Sequence, residues 1–267
     1  MRGRVLIVAG SDSGGGAGIQ ADIKAVTALG GFAMTAVTAL TAQNTLGVHG
    51  VLPVAPDFIA RQMAVVLDDL GADAVKTGML HDVPVIRTVV EMLAARAPDV
   101  PLVCDPVMVA KGGHALLVES AVEALRRLLL PRAAVLTPNI PEAEALLGHA
   151  IPDLAAMERA VVEIRRLGPA AVLLKGGHAA GDEVVDILAD AGGIHRFRSP
   201  RIATRHTHGT GCTLASAIAA GIAQGMPLVA AVARARDYVL EAIRRAPGYG
   251  QGHGPLDHGH TMCPPGG

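Results

Sequence analysis

Short apolar runs alternate with amphipathic segments along most of the chain, and this alternation restricts the possible folds more than any other feature. The runs indicate strands buried on both faces and cover residues 5–9, 33–41, 74–77, 102–104, 134–136 and 172–174. Helix-period segments separate them, at residues 19–29, 56–70, 83–97, 119–130, 141–147 and 154–167. Strands that alternate with helices of this length predict βαβ units and a largely parallel sheet, that is, an α/β fold.

The last third of the chain departs from this alternation. Residues 184–188 and 194–198 flank a Gly-containing turn, which predicts a hairpin at the edge of the sheet. Two helices, at residues 211–224 and 228–245, then close the fold. Neither a linker-like stretch nor a repeat divides the sequence, so we predict one domain over residues 1–267, with residues 247–267 as a Gly/Pro/His-rich tail.

The composition excludes several classes of protein. A hydrophobic content of 51% is too high for a disordered chain. Trp 0, Tyr 2 and Phe 3 leave almost no rings for stacking on nucleic-acid bases, and a net charge of −1 provides no basic footprint. We therefore expect no nucleic-acid partner and no polybasic membrane contact.

Cysteine usage and hydropathy favour a cytoplasmic enzyme. Cys104, Cys212 and Cys263 form no C-x-x-C pair, so neither a zinc ribbon nor a disulfide framework is indicated. The N-terminus lacks the pattern of a signal peptide. Residues 209–233 carry no formal charge, but they are rich in small residues and broken by Gly225 and Pro227. Two buried helices explain that stretch better than a membrane span does.

The first predicted strand leads into a glycine-rich loop at residues 10–18. Its spacing does not match the dinucleotide-binding pattern G-x-G-x-x-G, and the next predicted strand ends without an acidic residue. Two interpretations remain: a tight strand-to-helix turn, or a loop whose backbone approaches a ligand closely. Five glycines in nine residues favour the second interpretation.

A second loop, THGTGCT at residues 207–213, opens an Ala-rich helix. Converging backbone N–H groups and the positive end of a helix dipole suit phosphate oxygens. A cysteine in that first turn, Cys212, is expected to have a depressed pKa and thiolate character. The alternative is a small buried filler, which the neighbouring G-T-G makes less attractive.

Polar residues also follow other predicted strands. Lys175 is interpreted as a phosphate ligand or as a residue that extends its ammonium to water at the sheet edge. Asn139 and Glu142 suit either Mg²⁺ or the capping of a helix N-terminus. Asp105 follows a further strand. Because ligands bind beyond the carboxyl ends of parallel strands, an anion hole, a lysine and carboxylates at these ends indicate phosphoryl transfer.

Several stretches of the sequence resemble motifs of a known family. They cover nearly the whole chain and occur in the same order as in that family. The chain resembles the ribokinase-like vitamin kinases, and among them the hydroxymethylpyrimidine/phosphomethylpyrimidine kinases of thiamine biosynthesis. GAGIQAD and HGTGCT are the most specific matches, whereas the first loop departs from the usual S-D-P-S-G-G. The matching stretches are GSDSGGGAGIQADIK, TALTAQNT, KTGML, CDPVMVAKGG, LTPNIPEAEALL, LLKGGH, THGTGCT and GHGPLDH.

The resemblance implies a three-layer α/β/α fold around a mostly parallel sheet, and a homodimer. It also implies an MgATP-dependent kinase with a small-molecule substrate. Such an enzyme phosphorylates the hydroxymethyl group of 4-amino-5-hydroxymethyl-2-methylpyrimidine and then converts that monophosphate to the diphosphate.

Residue roles follow from the same resemblance. Gln43 is expected to bind the edge of the pyrimidine, and the pocket around it is expected to be lined by Gly10, Ala17, Asp22, Met79 and Val107. The catalytic group comprises Cys212 beside the hydroxymethyl oxygen, Lys175 at the ATP phosphates, and an anion hole of Gly209, Thr210 and Gly211. Residues expected on the nucleotide side, besides Lys175, are Asp105, Asn139, Thr207 and Lys111, the last in a flap at residues 111–114. Metal ligands are expected to be Glu142 and Asp105.

Two rival functions and the tail remain open at this point. One rival is a pyridoxine or pyridoxal kinase of the same fold, which Gln43 and the scarcity of aromatic residues disfavour. The other is a non-catalytic pyrimidine-binding regulatory module, which the intact Lys175 and Cys212 disfavour. His253, His258 and His260 are expected to lie in a solvated tail rather than a metal site, or else in a segment that packs near the active site. Cys104 is interpreted as a buried filler and Cys263 as an exposed thiol.

Overall fold

The computed structural model describes residues 3–108, 119–179 and 181–262. Eight strands of this part of the chain form one sheet, and two form a small separate sheet. In chain order the strands are β1 (Arg4–Ala9), β2 (Phe32–Val37), β3 (Ala39–Asn44), β4 (Gly47–Pro53), β5 (Ala74–Thr77), β6 (Leu102–Cys104), β7 (Ala133–Leu136), β8 (Val172–Leu174), β9 (Glu183–Asp190) and β10 (Gly193–Pro200).

The large sheet has the strand order β10-β9-β8-β7-β6-β5-β1-β2. Strands β2, β1, β5, β6, β7 and β8 are parallel to one another, whereas β9 and β10 are antiparallel and lie at one edge. This arrangement confirms the predicted parallel sheet and the predicted edge hairpin. The parallel strands all end at the same edge, which is where a ligand site is expected in an open α/β sheet.

Helices connect the strands at nearly the predicted positions. Those of the described residues are α1 (Gly18–Ala28), α2 (Pro56–Asp69), α3 (Val83–Arg96), α4 (Glu119–Ala124), α5 (Ile140–Leu147), α6 (Leu154–Arg165), α7 (Thr210–Ala223) and α8 (Leu228–Arg244). Asp82 and Asp153 cap α3 and α6, because each carboxylate accepts a hydrogen bond from a first-turn backbone N–H. None of the helices that the structure describes is long and apolar enough to cross a membrane.

Alternate residues of the central strands pack against opposite helix layers. In β1, Leu6 and Val8 belong to a core that includes Ile59 of α2 and Leu93 of α3. Their neighbours Val5, Ile7 and Ala9 belong to a second core, formed with α1, α7 and α8. Helices therefore cover both faces of the sheet, and the expected three-layer α/β/α architecture is confirmed.

The predicted strand over residues 33–41 is wrong in one respect, because it is two strands that belong to different sheets. β2 ends at Val37, and buried Thr38 donates its hydroxyl to the Met79 carbonyl oxygen at 2.6 Å. The chain then leaves the large sheet and forms β3, which pairs with β4. The continuous apolar sequence hides this change of direction, and the two glycines and Pro53 of β4 weaken its strand pattern.

The predicted helix over residues 119–130 is also irregular. Its α-helical part ends at Ala124, and a π-helical turn covers Leu125–Leu129. A 3₁₀ turn, Leu130–Arg132, then leads directly into β7. Pro131 accounts for the end of the helix, because proline cannot donate to the carbonyl four residues earlier and restricts the residue before it.

Candidate active site

The ends of β6 and β8 bring a lysine and two carboxylates together. Asp105 directly follows β6, and Lys175 directly follows β8. Lys175 Nζ lies 3.0 Å from Asp105 Oδ1 and 4.0 Å from Glu142 Oε2. A Cβ added to Gly211 would lie 3.2 Å from Lys175 Nζ, so the N-terminus of α7 adjoins this cluster. The predicted meeting of charged residues at the sheet edge is therefore present in the structure.

Burial changes the acidity of the Glu142 carboxyl group in this cluster. Burial raises the pKa of Glu142 to about 7, and the charge of Asp105 acts in the same direction while that of Lys175 opposes it. For Lys175, burial alone lowers the pKa, but the attraction of Asp105 and Glu142 outweighs it and the pKa is raised. Lys175 is therefore a permanent cation at neutral pH, while the negative charge beside it depends on pH.

Asn139 and Glu142 form a capping box at the start of α5. The Asn139 side chain accepts the Glu142 N–H at 2.9 Å, and Glu142 Oε2 accepts the Asn139 N–H at 2.8 Å. The capping interpretation is thus confirmed. The Glu142 carboxylate also lies 4.0 Å from Lys175 Nζ. The capping box therefore holds this carboxylate at the site.

The acidic residues fit Mg²⁺ only in combination with a phosphate. In the described ranges, no three His, Cys, Asp or Glu side chains are arranged to hold a metal ion. Asp105 and Glu142 offer two carboxylates beside Lys175. Mg²⁺ commonly uses one or two carboxylates together with water and phosphate oxygens, so this pair suits a magnesium–phosphate complex rather than a cage of protein ligands.

The start of α7 has the geometry of an anion site. Gly209 has φ of 81° and precedes the first residue of the helix, and a Cβ there would lie 1.8 Å from the Gly16 carbonyl oxygen. Only glycine fits that position. Thr210 Oγ1 donates to the Thr207 carbonyl at 2.6 Å, which holds the preceding turn. A Cβ on Gly211 would lie 3.2 Å from Lys175 Nζ and 3.6 Å from Asp105 Oδ2, so the first turn of α7 adjoins both side chains. N–H groups of a first turn have no acceptor within the helix and are available to an anion.

The expected low pKa of Cys212 is wrong. Burial raises the pKa of this thiol to about 12, and the carboxylates of Asp22 and Asp105 add to the effect. The Lys76 ammonium and a hydrogen bond from the Gly18 N–H to the sulphur lower it, but not enough. The helix dipole that suggested a thiolate is therefore outweighed by desolvation and by nearby carboxylates, and the thiol is protonated at neutral pH.

Asp22, predicted to line the substrate pocket, lies beneath it. Its carboxylate is completely buried and accepts hydrogen bonds from Lys76 Nζ at 2.9 and 2.8 Å and from Ser216 Oγ at 2.7 Å. Ser216 is one helical turn from Cys212 on α7. A Cβ on Gly78 would lie 2.9 Å from Lys76 Nζ, so the ammonium reaches the end of β5. The pair supports the floor of the site.

The glycine-rich loop at residues 10–18 folds mainly around a side chain of its own. The Asp12 carboxylate accepts backbone N–H groups from Gly14 at 2.8 Å, Gly16 at 3.2 Å and Ala17 at 2.8 Å. His208 Nε2 lies 2.8 Å from Asp12 Oδ2. The interpretation of this loop as a cradle for ligand is wrong for these three N–H groups, since Asp12 already occupies them.

The residues predicted to bind the pyrimidine lie at or near the C-terminal ends of β1, β3, β5 and β6 and at the start of α1. A Cβ on Gly10 would lie 3.1 Å from Met79 Sδ, so these two residues are in contact range. Gln43 lies on β3, with its amide nitrogen 3.4 Å from His208 Nε2. Ala17 precedes the first turn of α1, and Val107 follows Asp105 in a turn closed by a hydrogen bond from the Val107 N–H to the Asp105 carbonyl.

The C-terminal segment packs against this site, so the expected solvated tail is wrong and the alternative of packing near the site is confirmed. His208 N–H donates to the Gly254 carbonyl, and His253 N–H donates to the Thr45 carbonyl at the tip of the β3–β4 hairpin. His258 is buried, with Nδ1 3.0 Å from the Tyr238 hydroxyl. The segment could not be placed from its composition because its anchors are mostly backbone groups.

Sequence reasoning missed three residues of the site: Asp12, Lys76 and His208. For Lys76 a signal existed, because a charged residue inside a fully buried strand requires a partner. His208 and Asp12 gave none, since they are far apart in the chain. Cys104 is buried, as predicted. Lys111, the flap at residues 111–114 and Cys263 lie outside the described residues.

The sequence is similar to those of known proteins of one family. A family model described as phosphomethylpyrimidine kinase matches residues 12–257. A hydroxymethylpyrimidine/phosphomethylpyrimidine kinase of Streptomyces coelicolor is 50% identical over 258 residues, which cover 97% of this chain and 95% of that protein. A thiamine biosynthesis bifunctional protein, ThiED, of Geobacter sulfurreducens is 53% identical over 96% of this chain, and the match spans only 52% of that longer protein.

A solved structure agrees with the fold. The ADP complex of pyridoxal kinase from Bacillus subtilis superimposes with a TM-score of 0.91 at 35% identity, covering 99% of this chain and all of that one. That enzyme is named for a different substrate, whereas the relatives at 50% identity and above are named for pyrimidine kinase activity or for thiamine biosynthesis. From its sequence and its fold together, this chain belongs to the phosphomethylpyrimidine kinase family.

Proposed function

We propose that the protein transfers the γ-phosphoryl group of ATP to 4-amino-5-hydroxymethyl-2-methylpyrimidine, and then phosphorylates the resulting monophosphate, in thiamine biosynthesis. The observation that carries this proposal is the convergence of Lys175, Asp105 and the N-terminus of α7 at one sheet edge. A lysine and converging N–H groups stabilise a transferring phosphoryl group. The names of the relatives support the pyrimidine as acceptor.

The phosphates occupy the side of the site formed by β6, β8 and α7. Lys175 contacts the transferring phosphoryl group, and the N–H groups of Gly209, Thr210 and Gly211 bind its oxygens. The ADP bound by the similar Bacillus subtilis enzyme supports a nucleotide here. Asp105 and Glu142 would hold Mg²⁺, which would neutralise charge on the phosphates. Other residues on the nucleotide side are Asn139, Thr207 and Lys111.

The pyrimidine occupies the side formed by β1, β3 and β5. The Gln43 amide offers a donor and an acceptor to a ring nitrogen and the exocyclic amine. Gly10, Ala17, Met79 and Val107 complete the pocket wall. Asp22 differs from its expected role: because it is wholly buried and paired with Lys76, it supports the site from below and does not touch the substrate.

Cys212 serves the first phosphorylation alone. The base form is the thiolate, a minor species at neutral pH because the pKa is about 12. After its proton has left to solvent, Cys212 takes the hydroxyl proton as the substrate oxygen bonds to phosphorus and the bond to ADP breaks. The enzyme then holds a thiol, ADP and the monophosphate. The second acceptor, a phosphate ester with a second pKa of about 6, is already ionised and needs no base.

The two rival functions are separated by one assay. ADP release is followed with a coupled enzyme assay in the presence of hydroxymethylpyrimidine, pyridoxal or no acceptor. Release with the pyrimidine at a far higher kcat/KM than with pyridoxal supports the proposal. Preferential use of pyridoxal identifies the protein as a pyridoxal kinase, and no acceptor-dependent release identifies a binding module.

We also propose a cytoplasmic homodimer without nucleic-acid or membrane partners, each subunit being one domain with a continuous sheet from β2 to β10. Several large apolar side chains remain exposed. Leu40 and Leu52 are cross-strand partners on β3 and β4, and Phe58 lies nearby in sequence on α2. Exposed apolar residues of this size suit a subunit interface. Light scattering of the purified protein tests this: a mass of one chain contradicts it.

A further inference from the structure

His208 stands between two side chains that belong to different parts of the site. Its Nε2 lies 2.8 Å from Asp12 Oδ2 and 3.4 Å from the amide nitrogen of Gln43. The ring is almost wholly buried. Its backbone N–H donates to Gly254, and a Cβ on Gly16 would lie 2.5 Å from its ring, so backbone on both sides holds it in place.

The contact with Asp12 shows which ring nitrogen of His208 carries a hydrogen. Burial by itself raises the pKa of Asp12, but His208 and the backbone N–H groups of Ala17 and Gly14 outweigh it and hold the pKa below its usual value. Asp12 is therefore an ionised carboxylate, which can only accept hydrogen bonds. An acceptor at 2.8 Å requires a donor, so His208 carries a hydrogen on Nε2.

That proton decides how the Gln43 amide is oriented. Nε2 carries a single hydrogen, which Asp12 accepts at 2.8 Å, so an amide nitrogen 3.4 Å away faces a ring nitrogen that has no lone pair to accept its hydrogen. On the other side, Thr41 Oγ1 donates its single hydrogen to the Ser11 carbonyl at 2.9 Å, so the amide oxygen 3.2 Å from it faces a second acceptor. The two ends of an amide have nearly the same shape, so the amide can rotate by half a turn. Its oxygen then lies beside the N–H that Asp12 accepts, and its NH₂ group can donate to Thr41 Oγ1.

We propose that His208, held by Asp12, is a positioning residue that fixes the Gln43 amide with its oxygen toward the imidazole and its NH₂ group toward Thr41. The fixed amide then presents one donor hydrogen and one acceptor lone pair in a single order. His208 and Thr41 thereby determine specificity for a ring whose nitrogen lies beside an exocyclic amine. This inference rests on the proposed pyrimidine kinase function.

The chemistry of the two rings explains why orientation matters. An aminopyrimidine places an acceptor nitrogen next to an amine donor, and a glutamine amide in the correct orientation pairs with both, as amide side chains do with adenine. Pyridoxal has no amine beside its ring nitrogen, so it cannot use both groups of the amide in this way. A pre-oriented amide avoids the entropy cost of ordering the side chain on binding. This raises the affinity for the aminopyrimidine and not for pyridoxal.

The test compares two substrates in variants on either side of the amide. His208→Leu and Thr41→Val are assayed for kcat and KM with hydroxymethylpyrimidine and with pyridoxal, which is measured as a competitive inhibitor if its turnover is slow. We expect each variant to lower kcat/KM for the pyrimidine by roughly five- to tenfold, mainly through KM, as loss of one hydrogen bond does. Binding of pyridoxal is expected to change by less than about twofold.

The same substitutions in a Gln43→Ala background complete the cycle. If His208 and Thr41 act through Gln43, their effects on the pyrimidine disappear there. Equal losses for both substrates, or the same loss without Gln43, overturn the inference and leave His208 with a structural role only. Thr41→Val keeps the shape of the side chain and leaves the Asp12–His208 pair intact, so it still tests the fixed orientation of the Gln43 amide if His208→Leu fails to fold. Failure of the proposed function is visible separately, as a wild-type protein that does not phosphorylate the pyrimidine.

Discussion

Lys76 of β5 and Asp22 of α1 form an ion pair with no exposed side-chain surface, directly beneath the proposed catalytic edge. The ammonium nitrogen lies 2.9 and 2.8 Å from the two carboxylate oxygens, and Ser216 Oγ donates to the same carboxylate at 2.7 Å. Removing two charges from water is costly, and their attraction offsets that cost only while both partners are present. Replacing only one of the two residues should therefore destabilise the protein more than replacing both.

Replacing one member of this pair tests that expectation. Lys76→Met leaves Asp22 buried without a counter-charge, and we expect the free energy of unfolding in urea to fall by about 3–5 kcal/mol. The double variant Lys76→Met/Asp22→Leu should recover most of the loss. Arg198→Ala, which breaks the exposed Arg198–Glu183 pair, is the control and should change stability little. A single variant as stable as wild type would refute the account of the pair.

The role of Cys212 is tested by separating the two phosphorylations. In Cys212→Ala the first step loses its proton acceptor, so we expect kcat with hydroxymethylpyrimidine to fall by about 10²-fold or more. The second step, with an acceptor already ionised, should retain most of its rate. The rates of the two steps are measured in separate quenched-flow or coupled assays, one with each acceptor. Equal losses in the two steps would show that Cys212 shapes the site rather than accepting a proton.

The raised pKa of Cys212 also predicts a difference in pH dependence. Since the thiol pKa is about 12, the thiolate fraction grows about tenfold per pH unit throughout the range in which the enzyme can be assayed. We expect kcat of the first step to rise steadily from pH 7 to pH 9, whereas that of the second step levels off once the phosphate is fully ionised. The same rising profile for both steps would assign the pH dependence to another group.

Two glycines at the ends of α7 form a matched pair for testing how the loops interlock. Gly209 and Gly225 both have φ of 81°, but a Cβ at Gly209 meets the Gly16 carbonyl at 1.8 Å while a Cβ at Gly225 meets nothing within 4 Å. Gly209→Ala should lower kcat of both steps by about tenfold or more, because it displaces the anion hole. Gly225→Ala carries the same backbone strain, of about 1 kcal/mol, without the clash. Its kcat should match wild type, and similar losses in both variants would contradict the interlocking of the loops.

Much of the fold follows from local sequence because each element carries its own signal. The run of residues 74–77 and the helix that starts at Val83 are both local patterns, and both appear where they are expected. The break at Thr38 is not local, since it depends on a hydrogen bond to Met79. A continuous apolar sequence cannot show which of two sheets a strand will join.

The part of the site that could be predicted consists of polar residues that directly follow the parallel strands. Lys175, Asp105 and Glu142 meet as expected because the topology of a parallel sheet brings them to one edge. The thiol pKa was not predictable, because the helix dipole is visible in the sequence while the burial of Cys212 and the carboxylates around it are not. The Asp12–His208 contact, between residues 196 positions apart, is likewise a property of the folded chain only.

If one site phosphorylates the pyrimidine twice, the identity of the final product and the number of ADP molecules released will show it. Enzyme, MgATP and hydroxymethylpyrimidine are incubated to completion, and the products are identified by ³¹P NMR while released ADP is counted. We expect a pyrimidine diphosphate with two coupled phosphorus signals and two ADP per pyrimidine, and we expect the monophosphate to appear first. Lys175→Ala, which removes the cation beside the transferring phosphoryl group, should lose both steps. A reaction that stops at the monophosphate with one ADP, or a full yield of diphosphate from Lys175→Ala, would contradict the account.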